Sequence, residues 1–102
     1  MSYTSSFSLS RQAANDIESI RDFIASDKPR AAERFITRLL QQCRMLSQNP
    51  SIGRNRNEIT QGLRSFPIAR YVIYYRETGT HTIEIIRVLH AARDAEVSFP
   101  EE

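Results

Sequence analysis

Arginine gives this chain most of its chemical character. Thirteen of the fourteen cationic side chains are arginine, and Lys28 is the one lysine. A guanidinium presents planar pairs of donors that match carboxylates and phosphates, so this usage is compatible with acidic partners. An arginine-rich genome would produce the same bias. The net charge of +2 and the pI near 9.0 are too small to indicate nucleic-acid binding by themselves.

The histidines and the single cysteine do not have the spacing of a metal site. His81 and His90 fall in one predicted hairpin without thiol partners. Cys43 shares the apolar face of a predicted helix with Leu39 and Leu46, so we expect a small buried core residue rather than a reactive thiol. One cysteine cannot form an intramolecular disulfide, which fits a reducing compartment.

A predicted β-hairpin within Gly62–Asp94 is the element that must position the remaining polar groups. Two β-branched and aromatic runs, 71–75 and 82–89, flank Glu77–Thr80, where Gly79 can adopt a positive φ in a turn. Alternation places Tyr71, Ile73 and Tyr75 on one face of the first strand and Val72 and Tyr74 on the other. On the second strand it sets Ile83, Ile85 and Leu89 against Ile86 and Val88.

Two amphipathic helices and two shorter strands are predicted before the hairpin. Residues 3–9 alternate as a half-buried strand does, and Ser10 is placed to cap the first helix. A break at 26–29 starts the second helix, and Asp27 has better capping chemistry than Lys28. The apolar residues of the two helices are Ala13, Ile17, Ile20, Phe23 and Ile24, then Ala32, Phe35, Ile36, Leu39, Leu40, Cys43 and Leu46. A polar connection over 54–59 leads to a short strand at 63–66, which Pro67 closes.

The predicted order is therefore β-α-α-β-β-β, with one further helical turn allowed over 91–97 and a loose tail over 98–102. This is an α+β fold with a helical hairpin packed on one face of a small, mostly antiparallel sheet. A chain of 102 residues is expected to form one domain, residues 1–102. We find no apolar run long enough to span a bilayer and no secretory signal, so we expect a cytoplasmic location.

Both faces of the predicted hairpin are apolar, which has a consequence for function. One helical hairpin covers one face of a small sheet and leaves the second partly uncovered. A large exposed apolar surface on a small protein usually marks a partner site, so we expect a protein partner there. The alternative is that the tail and the final helical turn cover this face.

An ordered set of residues also resembles a known family. The set comprises Asn49-Pro50, Gly53-Arg54, Arg56, Glu58, Gly62-Leu63-Arg64, Pro67, Arg70–Arg76 and Arg87–Asp94. Taken together it resembles the ParE toxins of the ParE/RelE superfamily of bacterial type II toxin–antitoxin modules, over nearly the whole chain. The resemblance implies the RelE/ParE-like architecture and a cognate antitoxin similar to ParD, whose C-terminal segment folds as it wraps the toxin. It further implies inhibition of DNA gyrase without a cofactor or a metal, growth arrest, and contact with operator DNA only through the antitoxin.

The RelE branch of the superfamily instead cleaves mRNA on the ribosome. That reaction needs a base for the 2′-hydroxyl, an acid for the leaving oxygen and cations around the phosphate. By resemblance to the YoeB-like group the candidates are Glu58 as base, Arg70 as phosphate clamp and His90 as acid. The terminal tyrosine of that group is missing, because Ala91 follows His90. Lys28 lies far in sequence from the sheet, so the lysine-dependent set of the other group is also absent.

The same residues have structural interpretations. Glu58 can pair with Arg54 or Arg56, and His90 can be a satisfied structural histidine. Tyrosines of the first hairpin strand can stack on bases, although such a ladder is more often core or partner surface. Candidate contacts for the antitoxin or the target are Arg54, Arg56, Arg64, Arg70, Tyr74, Arg87 and Arg93. A third interpretation is a non-toxic module that only helps its antitoxin to repress an operon.

Overall fold

The computed structural model describes residues 5–94 and residue 99 and confirms the α+β fold. Its elements are β1 (Ser6–Leu9), α1 (Arg11–Ala25), α2 (Pro29–Gln48), a 3₁₀ turn (Pro50–Ile52), β2 (Arg54–Asn55), β3 (Arg64–Ile68), β4 (Tyr71–Gly79) and β5 (Thr82–His90). The sheet order is β1-β5-β4-β3-β2. β1 runs parallel to β5 and the other neighbours are antiparallel. Within the described residues, neither helix is long and apolar enough to cross a membrane.

The first helix begins as predicted, but the connection between the two helices differs from the prediction. The Ser10 hydroxyl accepts the Ala13 N–H at 3.0 Å, which confirms the N-cap of α1. The prediction that Asp27 caps α2 was wrong, because Lys28 is the N-cap residue and makes no side-chain hydrogen bond there. The N–H groups of both residues donate to the Ile24 carbonyl, so they complete the last turn of α1 instead.

Both helices pack on one face of the sheet. The core joins Ile17, Ile20, Ile36, Leu39 and Cys43 to Ile73, Tyr75, Ile83, Ile85 and Val88. Cys43 is a buried core residue as predicted, and burial raises the pKa of its thiol to about 12. Phe23 as a core residue was wrong, since 61% of it is exposed. At 3.6 residues per turn it lies about 60° beyond Ile20 around the helix, outside the buried stripe.

A β-bulge in β5 changes which side chains share a face. Tyr74 pairs with Arg87 and Tyr75 pairs with Ile85, so Ile86 is an extra residue without a partner in register. Beyond the bulge the alternation is reversed. Val88 therefore joins the core and Leu89 pairs with Val72 on the second face, the opposite of the predicted assignment.

The turn of the β4–β5 hairpin lies later than predicted. β4 continues through Gly79, and the turn is formed by Thr80 and His81, whose φ of 54° supplies the left-handed residue. Threonine hydroxyls close the turn, because Thr78 donates to the Thr82 carbonyl and Thr82 donates to the Thr80 carbonyl. The prediction that Gly79 supplies the positive φ of this turn was therefore wrong.

The polar connection and the short strand also differ in detail. Residues 54–55 of the predicted connection form β2, which pairs with Arg64 and Ser65 of β3. Pro67 lies inside β3 rather than closing it. At Pro67 the strand has a neighbour on one side only, where a residue without an N–H is tolerated.

The chain after β5 is described only in part. The Asp94 N–H donates to the His90 carbonyl at 3.0 Å and forms one turn over 91–94. Residues 95–98 and 100–102 lie outside the described part of the chain, together with the rest of the predicted helical turn and most of the predicted tail.

A buried tyrosine fixes the segment after α2 to the sheet. Tyr75 has no exposed surface, and its hydroxyl donates to the Pro50 carbonyl at 2.8 Å and accepts the Gly53 N–H at 2.9 Å. A Cβ on Gly53 would collide with the Tyr75 ring, so this position requires glycine. The contact sets where the chain leaves the helical layer and enters β2.

We expect Tyr75→Phe to lower the free energy of unfolding by about 1–3 kcal/mol, because it leaves the buried Gly53 N–H and the partly buried Pro50 carbonyl without their partner. Urea denaturation measures this change. Tyr71→Phe is the matched control, since Tyr71 is similarly buried and its hydroxyl makes no hydrogen bond within the described residues. A loss no larger in Tyr75→Phe than in Tyr71→Phe would contradict the anchoring role.

The same variant has a predicted pH dependence. Burial raises the pKa of Tyr75 above its ordinary value of 10.0, so folding favours the neutral phenol. This contribution is complete below the unfolded pKa and is lost as the pH rises through the folded pKa. Tyr75→Phe should flatten the alkaline decline in stability.

Candidate functional site

The sheet face opposite the helices carries a cleft of about 330 Å³. Val72, Tyr74 and Leu89 form its floor, and we call this surface the Tyr74 face. Val72 and Tyr74 are half-buried, while Leu89 is only 6% exposed. The face is apolar as predicted and less exposed than predicted, because Ile59 and Phe99 line the same cleft.

Tyr74 is held between a cation and a second ring. The Arg56 guanidinium lies 5.9 Å from the centroid of the Tyr74 ring, and the Phe99 ring packs at 4.8 Å with an interplanar angle of 65°. The predicted alternative that the tail covers this face is thus realised at one residue, Phe99. The result is an aromatic cleft with a guanidinium at its rim, which suits a polypeptide that brings apolar and acidic side chains.

The three predicted acid–base residues do not line one common pocket. Arg70 and His90 line a pocket at the end of the helical hairpin that does not include Glu58, and His90 also lines the cleft of the Tyr74 face beside Arg56. Glu58 pairs with Arg56 at 2.7 Å, which is the structural interpretation of this residue. The hydrogen bond from Arg56 lowers the pKa of the Glu58 carboxyl, which makes it a weaker base.

His90 has a structural task at the end of β5. Its Nδ1 accepts the N–H groups of Ala92 and Arg93, each at 3.1 Å. Its ring meets Tyr71 edge-on at 5.2 Å. A nitrogen that accepts two backbone donors is occupied as long as this turn is folded, so His90 has a structural role here.

Several of the candidate arginines are used inside the fold. Arg64 donates to the Gly53 carbonyl at 2.8 Å, and Arg87 binds both carboxylate oxygens of Asp16 at 2.8 and 2.9 Å. Arg54 and Arg70 are exposed and form no side-chain hydrogen bond or salt bridge within the described residues. Of these arginines, Arg54, Arg70 and the half-buried Arg56 remain at the surface for a partner.

Sequence reasoning missed a second apolar surface at the end of α1. The Arg93 guanidinium lies 4.8 Å from the exposed Phe23 ring, and Phe35, Arg70 and Tyr71 line the adjoining pocket. The signal was present in the helical angle of Phe23, which falls outside the buried stripe. Among the described residues, no group of three or more histidine, cysteine, aspartate or glutamate side chains could hold a metal ion.

Asp16 closes the edge of β5 beyond the end of β1. Its carboxylate accepts the Val88 N–H at 3.0 Å in addition to the two bonds from Arg87. Ser10 donates to the Ile86 carbonyl at 2.8 Å on the same edge. Side chains of α1 therefore replace the missing strand, and the bonds hold Arg87 away from the surface.

Comparison with known proteins identifies the family of this chain. The sequence profile of the family described as "ParE toxin of type II toxin-antitoxin system, parDE" matches residues 7–95. The chain belongs to the ParE toxin family. This membership confirms the resemblance that the ordered motif set indicated.

Individual ParE proteins are similar to this chain. Toxin ParE1 of Mycobacterium tuberculosis, from strains CDC 1551 / Oshkosh and ATCC 25618 / H37Rv, is 35% identical over 65 residues. The match covers 64% of this chain and 66% of ParE1, so the chain spans just under two thirds of the length of these relatives. A solved structure described as "Chromosomal ParDE TA system from P. aeruginosa" has a TM-score of 0.72 at 24% identity. The structural match covers 87% of this chain and 98% of the P. aeruginosa chain, so the two proteins share a fold.

In this ParE-family chain we expect Asp16→Ala to lower the free energy of unfolding by about 3 kcal/mol, because it leaves Arg87 without its counter-charge and the Val88 N–H without an acceptor. Thermal or urea denaturation measures the loss. Asp16→Asn keeps one acceptor oxygen and should lose less. Asp22→Ala removes an exposed carboxylate from the same helix and should change stability by less than about 0.5 kcal/mol. Equal effects of Asp16→Ala and Asp22→Ala would show that the edge does not depend on this carboxylate.

Proposed function

We propose that this protein is a toxin that inhibits DNA gyrase and is neutralised by a ParD-like antitoxin. The observation that carries the proposal is membership of the ParE family over residues 7–95. The proposed action is binding rather than catalysis: the toxin stalls gyrase on cleaved DNA, in the cytoplasm and without a cofactor. The arrangement of the titratable side chains supports this part of the proposal.

Ribonuclease chemistry is the second candidate, and the geometry of its proposed residues weighs against it. A general base must reach the proton that it removes, with a pKa close to the working pH. Glu58 is exposed and forms an ion pair with Arg56, which lowers the pKa of its carboxyl. It lies outside the pocket that Arg70 and His90 line. His90 already uses Nδ1 to accept two backbone N–H groups.

The Tyr74 face is the surface that we propose for the antitoxin. It combines a buried aliphatic floor at Leu89 with an aromatic ring at Tyr74 and a guanidinium at Arg56. Tyrosine and arginine are the residue types that most often dominate binding energy at protein interfaces. A segment that folds on binding can lay apolar side chains into this cleft and direct a carboxylate to Arg56.

We expect the purified chain to inhibit supercoiling by gyrase and to increase the amount of cleaved DNA complex. A supercoiling and cleavage assay measures both effects. The matched variant is Glu58→Gln, which should keep full inhibition because a binding mechanism does not need a base at this position. Normal supercoiling at a large molar excess of the protein would contradict the gyrase target.

Other outcomes separate the alternatives. New cleavage sites in translated mRNA, found by primer extension and lost in Glu58→Gln, would support the ribonuclease instead. Expression of the chain alone without any effect on growth would remove both toxic mechanisms. That result would favour the non-toxic module that assists repression of an operon.

We expect Tyr74→Ala to weaken antitoxin binding by about 30-fold or more, which corresponds to about 2 kcal/mol. Isothermal titration of the toxin with its antitoxin measures the change. Phe23→Ala is the control, because it removes an exposed aromatic ring from the end of the helical hairpin instead. A larger loss in Phe23→Ala would place the main contact at the pocket beside α1 and refute the Tyr74 face.

A further inference from the structure

The solvent side of α2 carries a row of arginines. Arg30, Arg34 and Arg38 follow each other at four-residue intervals, and Arg44 lies further along the same side of the helix. All four are exposed. Residues four apart are neighbours on a helix and rise about 6 Å per step, so the row extends over about 21 Å from Arg30 to Arg44. We call these four residues the α2 arginine row.

The row has almost no partners within the fold. Arg30, Arg34 and Arg38 form no salt bridge or hydrogen bond with any residue in the described part of the chain. Arg44 lies 6.0 Å from the ring of Phe7, which leaves its donors available. The one acid of α2, Glu33, is directed to Arg21 of α1 at 4.0 Å. Four arginines and one glutamate give α2 a net charge of +3.

This arrangement destabilises the helix that carries it. Like charges at four-residue spacing repel each other, and the row contains two such pairs in succession. Arg30 also lies near the N-terminus of α2, where the helix dipole disfavours a cation and no acid occupies the first turn. Arg30, Arg34 and Arg38 therefore gain no partner within the described residues, and an external polyanion would relieve their repulsion.

The chemistry of this side of α2 favours phosphates over a protein surface. Between the arginines lie the exposed polar residues Thr37 and Gln41, and the one aromatic residue of α2, Phe35, packs against the core instead. Protein interfaces have an apolar and aromatic centre, which this side of the helix lacks. Phosphate binding needs only cations and polar hydrogen-bond donors. The phosphates of a duplex form a regular line of negative charge that repeats every 3.4 Å along the axis of each strand, and long arginine side chains about 6 Å apart on one side of a helix can reach several of them.

We propose that the α2 arginine row binds the phosphate backbone of duplex DNA directly and without sequence preference. The helices cover one face of the sheet, so the row lies on the side of the molecule opposite to the Tyr74 face. A protein on the Tyr74 face therefore leaves the row open. The protein can hold a polypeptide partner and a DNA duplex at the same time.

The test is fluorescence anisotropy of a labelled random-sequence duplex of about 20 base pairs with the full-length chain, from about 50 to 200 mM KCl. The variant Arg34→Gln/Arg38→Gln removes two proposed phosphate contacts. We expect the slope of log K against log salt to become shallower by about 1.8, and the affinity at about 100 mM KCl to fall about tenfold or more. Its melting temperature should not decrease, because the substitutions remove like-charge pairs.

The matched control is Arg11→Gln/Arg54→Gln, which removes the same charge from two exposed arginines outside α2. It should change the affinity less than twofold. Equal losses in both variants would reduce the effect to net charge and overturn the proposal. Failure of the protein to bind the duplex at a concentration of about 1 mM would also overturn the proposal. Tighter binding of poly-glutamate or of single-stranded RNA than of the duplex would also overturn it, and would assign the row to an acidic protein or to RNA.

Discussion

The carboxylate of Asp16 joins the helical layer of this protein to its sheet. It accepts two bonds from Arg87 and one from the Val88 backbone, at the edge of β5 where β1 has ended. An open sheet edge invites pairing with another chain, and here a helix covers it with polar side chains. The same bonds fix α1 against β5. The helices therefore cover one face of the sheet and leave the other as the Tyr74 face.

The β-bulge at Ile86 decides what each face presents. Because β5 carries one extra residue opposite Tyr74 and Tyr75, Val88 turns into the core and Leu89 turns to the second face. Without this residue the strict alternation would put Leu89 in the core and Val88 on the second face. The bulge also pairs Arg87 with Tyr74, at the edge where Asp16 can reach its guanidinium. A local irregularity of the backbone thus supports both the core and the cleft.

The polar groups of the family motifs divide into anchors and contacts. Tyr75, Arg64 and His90 accept or donate bonds within the fold, and each holds a segment without regular structure against the sheet. Arg56 and Tyr74 instead meet at the rim of the cleft. A residue of the motif set can therefore serve folding or binding, and its contacts distinguish the two roles. The surfaces proposed for protein and for DNA lie on opposite sides of the sheet because the core and the Asp16 bonds hold both helices on one face.

The sequence by itself determined the α+β class, the order of the two helices and of the strands other than β2, the Ser10 cap and the burial of Cys43, because these follow from local periodicity and from side-chain chemistry within a few residues. It also determined the family, through motifs that keep their order along the chain. The tertiary structure alone decided the bulge at Ile86, the later turn at His81 and the anchoring of residues 50–53 by Tyr75. These depend on hydrogen bonds between strands and between layers, such as Arg87 with Asp16 across 71 positions. No local pattern contains that information, because the partner that satisfies each group is chosen only when the layers pack.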